Sequence, residues 1–144
     1  MANELRKYYF VLITPAAIIL ISVYLLKLYG MDVRLNSPTE RTTNVLLFVL
    51  SAAFGIAFPI LCRTWFVKKI ESRKTLEPDE FLRFEKRILL IALTVPYFAV
   101  VAVFFNLPFQ YLAGIFLIAI YSVYFFYPSD KRIEFDKKIF RARL

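Results

Sequence analysis

The sequence predicts an all-α polytopic integral membrane protein, a bundle of four transmembrane helices. Of its 144 residues, 60% are hydrophobic, whereas soluble domains contain roughly 45–50%. The charged residues make up 21% of the chain, and they are concentrated at the two ends and in two connecting segments. This separation excludes an ordinary soluble globule and a disordered chain. The length allows one domain, residues 1–144.

Four apolar segments have between 18 and 23 residues, close to the roughly 20 that a transmembrane helix needs. They cover residues 8–26, 45–67, 88–105 and 109–127, and Arg63 is the only charged residue within them. The first segment is too long for a removable signal peptide and lacks a small-residue cleavage site. We therefore expect four retained spans.

The distribution of Lys and Arg predicts the orientation of these spans. Seven basic residues lie between the second and third spans and six follow the fourth, whereas the connection between the third and fourth has none. Basic-rich and basic-poor segments alternate, as they do when both termini are cytoplasmic. The net charge of +8 has the same explanation, because basic residues beside a membrane attract anionic headgroups. We expect no nucleic acid as a partner.

Polar residues predict that two helices extend beyond the membrane. Residues 37–40, Ser-Pro-Thr-Glu, form a capping box for the second helix. Residues 77–80, Glu-Pro-Asp-Glu, place acidic groups in the first turn of the third helix. The second and third helices would then form a short cytoplasmic hairpin that turns near residues 72–77. Its mixed charges suit a solvated, self-paired hairpin, or alternatively a surface that docks a partner.

The tail, residues 128–144, predicts a short amphipathic helix. Ser129 is suited to be its N-cap, and Ile133, Phe140 and Leu144 fall on one helical side among six basic residues. We expect this helix to lie at the interface of the cytoplasmic leaflet. The alternative is a helix that docks a partner.

The residue counts exclude much of enzyme chemistry. The chain has no histidine and a single cysteine, Cys62, so zinc, copper and haem sites and histidine-dependent catalysis lack their usual groups. Gly30, Gly55 and Gly114 lie too far apart for a glycine-rich phosphate loop. We expect Cys62 to be an inert packing thiol, and we expect no enzyme, cofactor or metal site.

Ionisable groups are almost absent from the predicted spans. Coupled transport of protons or ions usually requires such a group, so the sequence disfavours a proton-coupled exporter. Arg63 either extends to the headgroups or anchors a phosphate or a partner's carboxylate. The candidate contacts for headgroups or a partner are Arg63, Lys68, Lys69 and Arg73.

Three prolines interrupt the first three spans at similar depth, about 11–12 Å from the cytoplasmic boundary at the helical rise. Each removes a hydrogen bond to the carbonyl four residues earlier and should kink its helix. Coincidence is one interpretation, since proline is common in spanning helices. The other is a cavity in the inner leaflet with the following candidate lining: Thr14, Pro15, Pro59, Thr94, Pro96, Tyr121 and Ser122.

Taken together, these patterns favour a non-catalytic accessory or assembly subunit of a larger membrane complex. The expected partners are anionic lipids and other membrane subunits or further copies of the chain. The alternative is a small transporter, flippase or channel for a lipidic or small uncharged substrate, which would use the proline-lined cavity. A compact chain without a targeting tag favours the bacterial inner membrane.

Overall fold

The computed structural model describes residues 2–31, 40–70 and 77–140, and every regular element in these ranges is a helix. The elements, in chain order, are α1 (Ala2–Leu28), α2 (Arg41–Ala52), a π-helical turn (Ala53–Ala57), α3 (Phe58–Ile70), α4 (Pro78–Ala92), α5 (Val95–Phe104), α6 (Phe109–Phe125) and α7 (Asp130–Ile139).

Within the described ranges, three stretches of helix are long and apolar enough to cross a membrane: Ala2–Leu28, Arg41–Ile70 and Pro78–Phe104. A fourth results if α6 and α7, which are bent by 79° relative to each other, count as one broken span. The described part of the chain is therefore all-helical, with three or four helical stretches suited to cross a membrane. The predicted fold class is confirmed at this level.

Two of the three prolines coincide with irregular helix geometry. Pro59 has no N–H for the carbonyl of Gly55, and the helix adopts the wider π geometry directly before it. Pro96 cannot donate to the carbonyl of Ala92, and the third span is interrupted there between α4 and α5. By contrast, α1 continues through Pro15 as a single helix.

Two predicted helix starts are confirmed. The α4 helix begins at Pro78 after Glu77 in extended conformation, and the Ser129 side chain accepts a hydrogen bond from the backbone N–H of Arg132, 3.3 Å away, at the start of α7. The predicted capping box of the second helix is wrong at Glu40, which is extended and directly precedes Arg41, the first residue of α2, instead of lying in the first helical turn. Residues 37–39 of the box lie outside the described residues. Most of the predicted hairpin turn also lies outside them.

One hydrophobic cluster, here named the tail-end core, joins the two termini to the hairpin side of the bundle. It includes Leu5, Phe66, Phe81, Ile133 and Phe140. These residues belong to the start of the first span, the end of the second, the start of the third and the tail. All four segments therefore meet at the same end of the described bundle.

A second hydrophobic cluster holds the opposite half of the bundle together. Val95, Ala99 and Ala102 of α5 pack there against Ile115 and Ala119 of α6. The small side chains allow the two helices to approach closely, which favours association in lipid.

Two tyrosines attach α1 to the rest of the bundle by hydrogen bonds. The Tyr9 hydroxyl donates to the carbonyl of Val123 at 2.8 Å, which joins α1 to α6. The Tyr97 hydroxyl of α5 donates to the carbonyl of Leu12 at 2.6 Å. Such bonds stabilise helix association in the membrane.

Gly55 marks the closest packing of the π-helical turn. A Cβ atom at this position would lie 2.6 Å from Cγ2 of Ile118 and 2.9 Å from Oγ of Ser122. Only a residue without a side chain therefore fits between the second span and α6.

Gly55→Ala should lower the free energy of unfolding by about 1–3 kcal/mol, because the added methyl group forces α6 away from the turn. Thermal unfolding in detergent measures the effect. Ala57→Ser at the exposed end of the same turn is the control and should change stability by less than about 0.5 kcal/mol. Equal effects of the two substitutions would show that the contact is not tight.

Candidate functional site

Four charged side chains meet where α7 crosses the ends of α3 and α4, and we call them the charge cluster: Arg63, Glu85, Arg132 and Asp136. Arg63 forms an ion pair with Asp136. Arg132 lies between the two acids, with Nη2 3.5 Å from Oε2 of Glu85 and Nε 3.5 Å from Oδ2 of Asp136. The cluster contains two positive and two negative groups and is therefore neutral overall.

Helix periodicity brings these groups inward. Arg132 and Asp136 are four residues apart on α7 and share one face, together with the buried Ile133. On α4, Glu85 follows Phe81 by four residues and precedes Ile88 by three, so it lies on the buried stripe. Glu85 keeps 3% of its surface exposed and Asp136 keeps 1%, and burial of this degree requires paired charges.

Arg63 finds its carboxylate within the same chain. From the sequence, Arg63 was expected either to extend to the headgroups or to anchor a phosphate or a partner's carboxylate. In the structure it contacts Asp136 of α7, and its guanidinium lies 5.8 Å from the centre of the Phe140 ring. It thus joins the second span to the tail.

Further ion pairs attach the start of α1 to the same end. Nη2 of Arg6 lies 2.7 Å from Oδ2 of Asp130, and Nε of Arg6 donates to the carbonyl of Pro128 at 3.3 Å. Lys86 of α4 lies 3.7 Å from Glu4. The tail helix is therefore held by the first, second and third helical segments together.

Burial shifts the pKa of Glu85, the acid of the charge cluster that lies just before the apolar segment 88–105. Loss of hydration raises the pKa of Glu85 to about 7, while Arg132 opposes the rise and Asp136 adds to it. Among the described residues, Oε1 of Glu85 has no hydrogen-bond partner. Glu85 therefore exchanges a proton near neutral pH at the contact between α4 and α7.

The seven residues proposed for the proline-layer cavity do not line a single cavity. Thr14 and Pro15 lie on the exposed face of α1, whereas Pro59 and Pro96 are buried. The Tyr121 ring stacks on Phe125. The remaining two residues are polar: Thr94 precedes Pro96 in the chain, and Ser122 lies beside Gly55.

Most serine and threonine hydroxyl groups in the spans are bonded to their own helix. Thr94 donates to the carbonyl of Leu90 at 2.8 Å. Thr14, Ser22, Ser51 and Thr64 likewise donate to the carbonyl four residues earlier. The buried hydroxyl of Ser122 has no partner among the described residues. Helix-bonded hydroxyls do not form a polar path across the bundle.

An apolar groove, here named the lateral furrow, runs between α1 and α6 over α5. Its larger part, about 450 Å³, contains Pro96, Ala99 and Ala119 on its inner wall. A second part of about 280 Å³ shares Leu20 and Phe116 with the first and extends towards Lys27. Of the predicted cavity residues, Pro96 lines this furrow.

A separate pocket of about 300 Å³ lies between α3 and α4, and we call it the basic pocket. Among the four predicted headgroup or partner contacts, Lys69 lines it. Arg63 belongs to the charge cluster, Lys68 is exposed beside the pocket, and Arg73 lies outside the described residues. Arg83 and Arg87 also line the pocket but were not predicted as contacts. Their four-residue spacing, which places both on one face of a helix, could have indicated this.

Acidic and cysteine side chains do not gather into a metal site in the parts of the chain that the structure describes. The predicted absence of a metal or cofactor remains a prediction.

Asp136→Asn should lower the free energy of unfolding by about 3–5 kcal/mol, because it removes the buried carboxylate that pairs with two half-buried arginines. Glu134→Gln is the control on the same helix, since the pair of Glu134 with Lys138 is exposed and should contribute less than about 1 kcal/mol. Chemical or thermal unfolding in detergent measures both. Similar losses for the two variants would contradict a buried cluster.

The Glu85 carboxyl should make stability depend on pH. Between pH 4.5 and about 7 the folded protein keeps a proton on Glu85 that the unfolded chain releases. The contribution of Glu85 to stability therefore falls as the pH rises through this interval. Unfolding temperatures of the wild type and of Glu85→Gln measured from pH 4.5 to 8 test this. The wild type should lose stability relative to the variant as the pH rises, and the opposite trend would refute the assignment.

No protein-family model, curated protein or solved structure matches this chain. The residues of the chain itself therefore have to indicate its function.

Proposed function

We propose that the chain is a non-catalytic accessory or assembly subunit of a larger membrane complex. In this proposal the chain has four spans in a bacterial inner membrane and both termini in the cytoplasm. The orientation is supported by the Lys and Arg distribution. It is also supported by the tail-end core, which gathers both terminal segments and the basic connection between the second and third spans.

The main support for the proposal is that most polar groups of the described bundle are bonded to other groups of the same chain. Arg63, Glu85, Arg132 and Asp136 pair with one another. Most serine and threonine hydroxyls of the spans, such as that of Thr94, bond to their own helix, and the hydroxyls of Tyr9 and Tyr97 bond to backbone carbonyls of other helices. Transport and catalysis in a membrane need polar groups that are free to meet a substrate. These groups instead stabilise the architecture, which favours a structural role.

The hairpin side supplies a surface for docking. The charge cluster and the Arg6 contacts fix the tail helix against the bundle, so this end forms a preorganised platform. Lys68 and Lys69 are exposed on it, and Arg73 follows in the sequence. We propose that these three basic residues bind an acidic surface of a partner subunit.

The first span leaves room for neighbours within the membrane. Only 11% of its most apolar 18 residues are buried, compared with 50% for the third span. The third span therefore holds the bundle together, while the first span presents its sides to lipid or to other subunits.

The test is native mass spectrometry of the tagged chain after gentle release from its own membrane. We expect foreign subunits at fixed stoichiometry. The variant Lys68→Gln, Lys69→Gln, Arg73→Gln should lose them while remaining folded, and the four other basic residues of the connection preserve the orientation signal. Lys27→Gln, Arg41→Gln at the opposite end is the control and should retain the partner.

Two results would contradict parts of this proposal. A partner that remains bound to the triple variant would show that the docking surface is wrong. A monomer or homo-oligomer that carries only lipid would refute the accessory role.

The lateral furrow supports a second candidate function, a small transporter or flippase for lipidic substrates. Its apolar walls open between α1 and α6, and Pro96 lies beside the break in the third span. In liposomes, movement of a labelled lipid would then be abolished by Pro96→Ala or Thr94→Val and would survive the triple neutralisation. The accessory proposal expects no such movement.

A further inference from the structure

The basic pocket has a rim of three cationic side chains. Lys69 of α3 faces Arg83 and Arg87 of α4 across the opening. All three are exposed, and none is seen in an ion pair within the described ranges 2–31, 40–70 and 77–140. Glu80 also lines the pocket, so the lining carries two net positive charges. The rim therefore favours an anionic ligand.

The lining of the pocket also contains apolar residues, here called its floor. Cys62, Ile88 and Ile91 line it. Cys62 is seven residues from Lys69, and Ile91 is eight residues from Arg83, which correspond to about 10–12 Å along the helices. Cys62 and Ile91 both belong to predicted spans. The pocket thus passes from a charged rim at the membrane surface to an apolar floor within about two helical turns.

The arginines are suited to a phosphate group. Arg83 and Arg87 are one turn apart on the same face of α4, so their guanidinium groups can approach one ligand together. Guanidinium groups donate paired hydrogen bonds to phosphate oxygens. Trp65 also lines the pocket and keeps 72% of its surface exposed, and indole rings prefer the headgroup level of a bilayer.

We propose that the basic pocket binds one anionic phospholipid. Lys69, Arg83 and Arg87 hold its headgroup phosphate, and one acyl chain lies along Cys62, Ile88 and Ile91. A free phosphate ion would use the rim but not the floor, and the apolar floor therefore favours the lipid. This binding site goes beyond the accessory role but shares Lys69 with the proposed docking surface. The test therefore changes Arg83 and Arg87, which that surface does not include.

The test uses the delipidated full-length protein in detergent, titrated with phosphatidylglycerol or with phosphatidylcholine of the same chains and observed by native mass spectrometry. We expect one phosphatidylglycerol to bind in preference to phosphatidylcholine. Arg83→Gln, Arg87→Gln should weaken its binding about 25-fold, roughly fivefold for each cation removed. Circular dichroism verifies that the variant is folded.

Lys131→Gln is the matched control. Lys131 lies on α7 at the same end of the bundle and is exposed, but it does not line the pocket, so its removal should change phosphatidylglycerol binding by less than twofold. An equal loss in this variant would show a general charge effect and overturn the site. Unchanged binding in the double arginine variant, or equal binding of phosphatidylcholine, would also overturn it.

Soluble glycerol phosphate distinguishes a lipid from a free phosphate. It should fail to displace the bound phosphatidylglycerol at equal concentration, because it lacks the chain that contacts the floor. Efficient displacement would refute the lipid and identify a phosphate site. Retention of an acidic protein that requires Arg83 and Arg87, in place of lipid, would overturn the proposal in favour of a protein contact.

Discussion

The buried charge cluster is the interaction on which the tail end of this protein depends. Arg63, Arg132, Glu85 and Asp136 come from three helices, and the arginines offset the cost of burying the two acids in their ionised form. Pairing makes the group neutral, and the surrounding aromatic rings of the tail-end core complete the contact, as shown by Phe66 and Phe84, which stack at 3.7 Å. The tail helix thereby becomes part of the bundle.

Local sequence patterns predicted the elements well and their mutual contacts poorly. The starts of α4 at Pro78 and of α7 after Ser129 depend on residues within one turn, and both were predictable. The partner of Arg63 lies 73 residues away, and no local pattern connects the two. The position of Glu85 on the apolar stripe between Phe81 and Ile88 could have predicted that its side chain is buried. It could not have predicted that Arg132 is its ion-pair partner.

The proline layer shows why equal depth does not imply a common cavity. Depth along a helix follows from counting residues, but the direction of each side chain around the axis follows from packing. Pro96 faces the lateral furrow, whereas Pro15 lies on the exposed side of α1. The sequence therefore predicted the irregular geometry at Pro59 and Pro96, although not the continuity of α1 through Pro15. Contacts between helices determined which proline lines a groove.

The two tyrosine hydrogen bonds have a consequence for the order of assembly. The first span is synthesised before the others, yet these two hydrogen bonds join it to Tyr97 of α5 and to the Val123 carbonyl of α6. Neither exists when the first span enters the bilayer. That span is therefore first inserted as an independent helix surrounded by lipid. It reaches its final position only after the last transmembrane segment has been inserted.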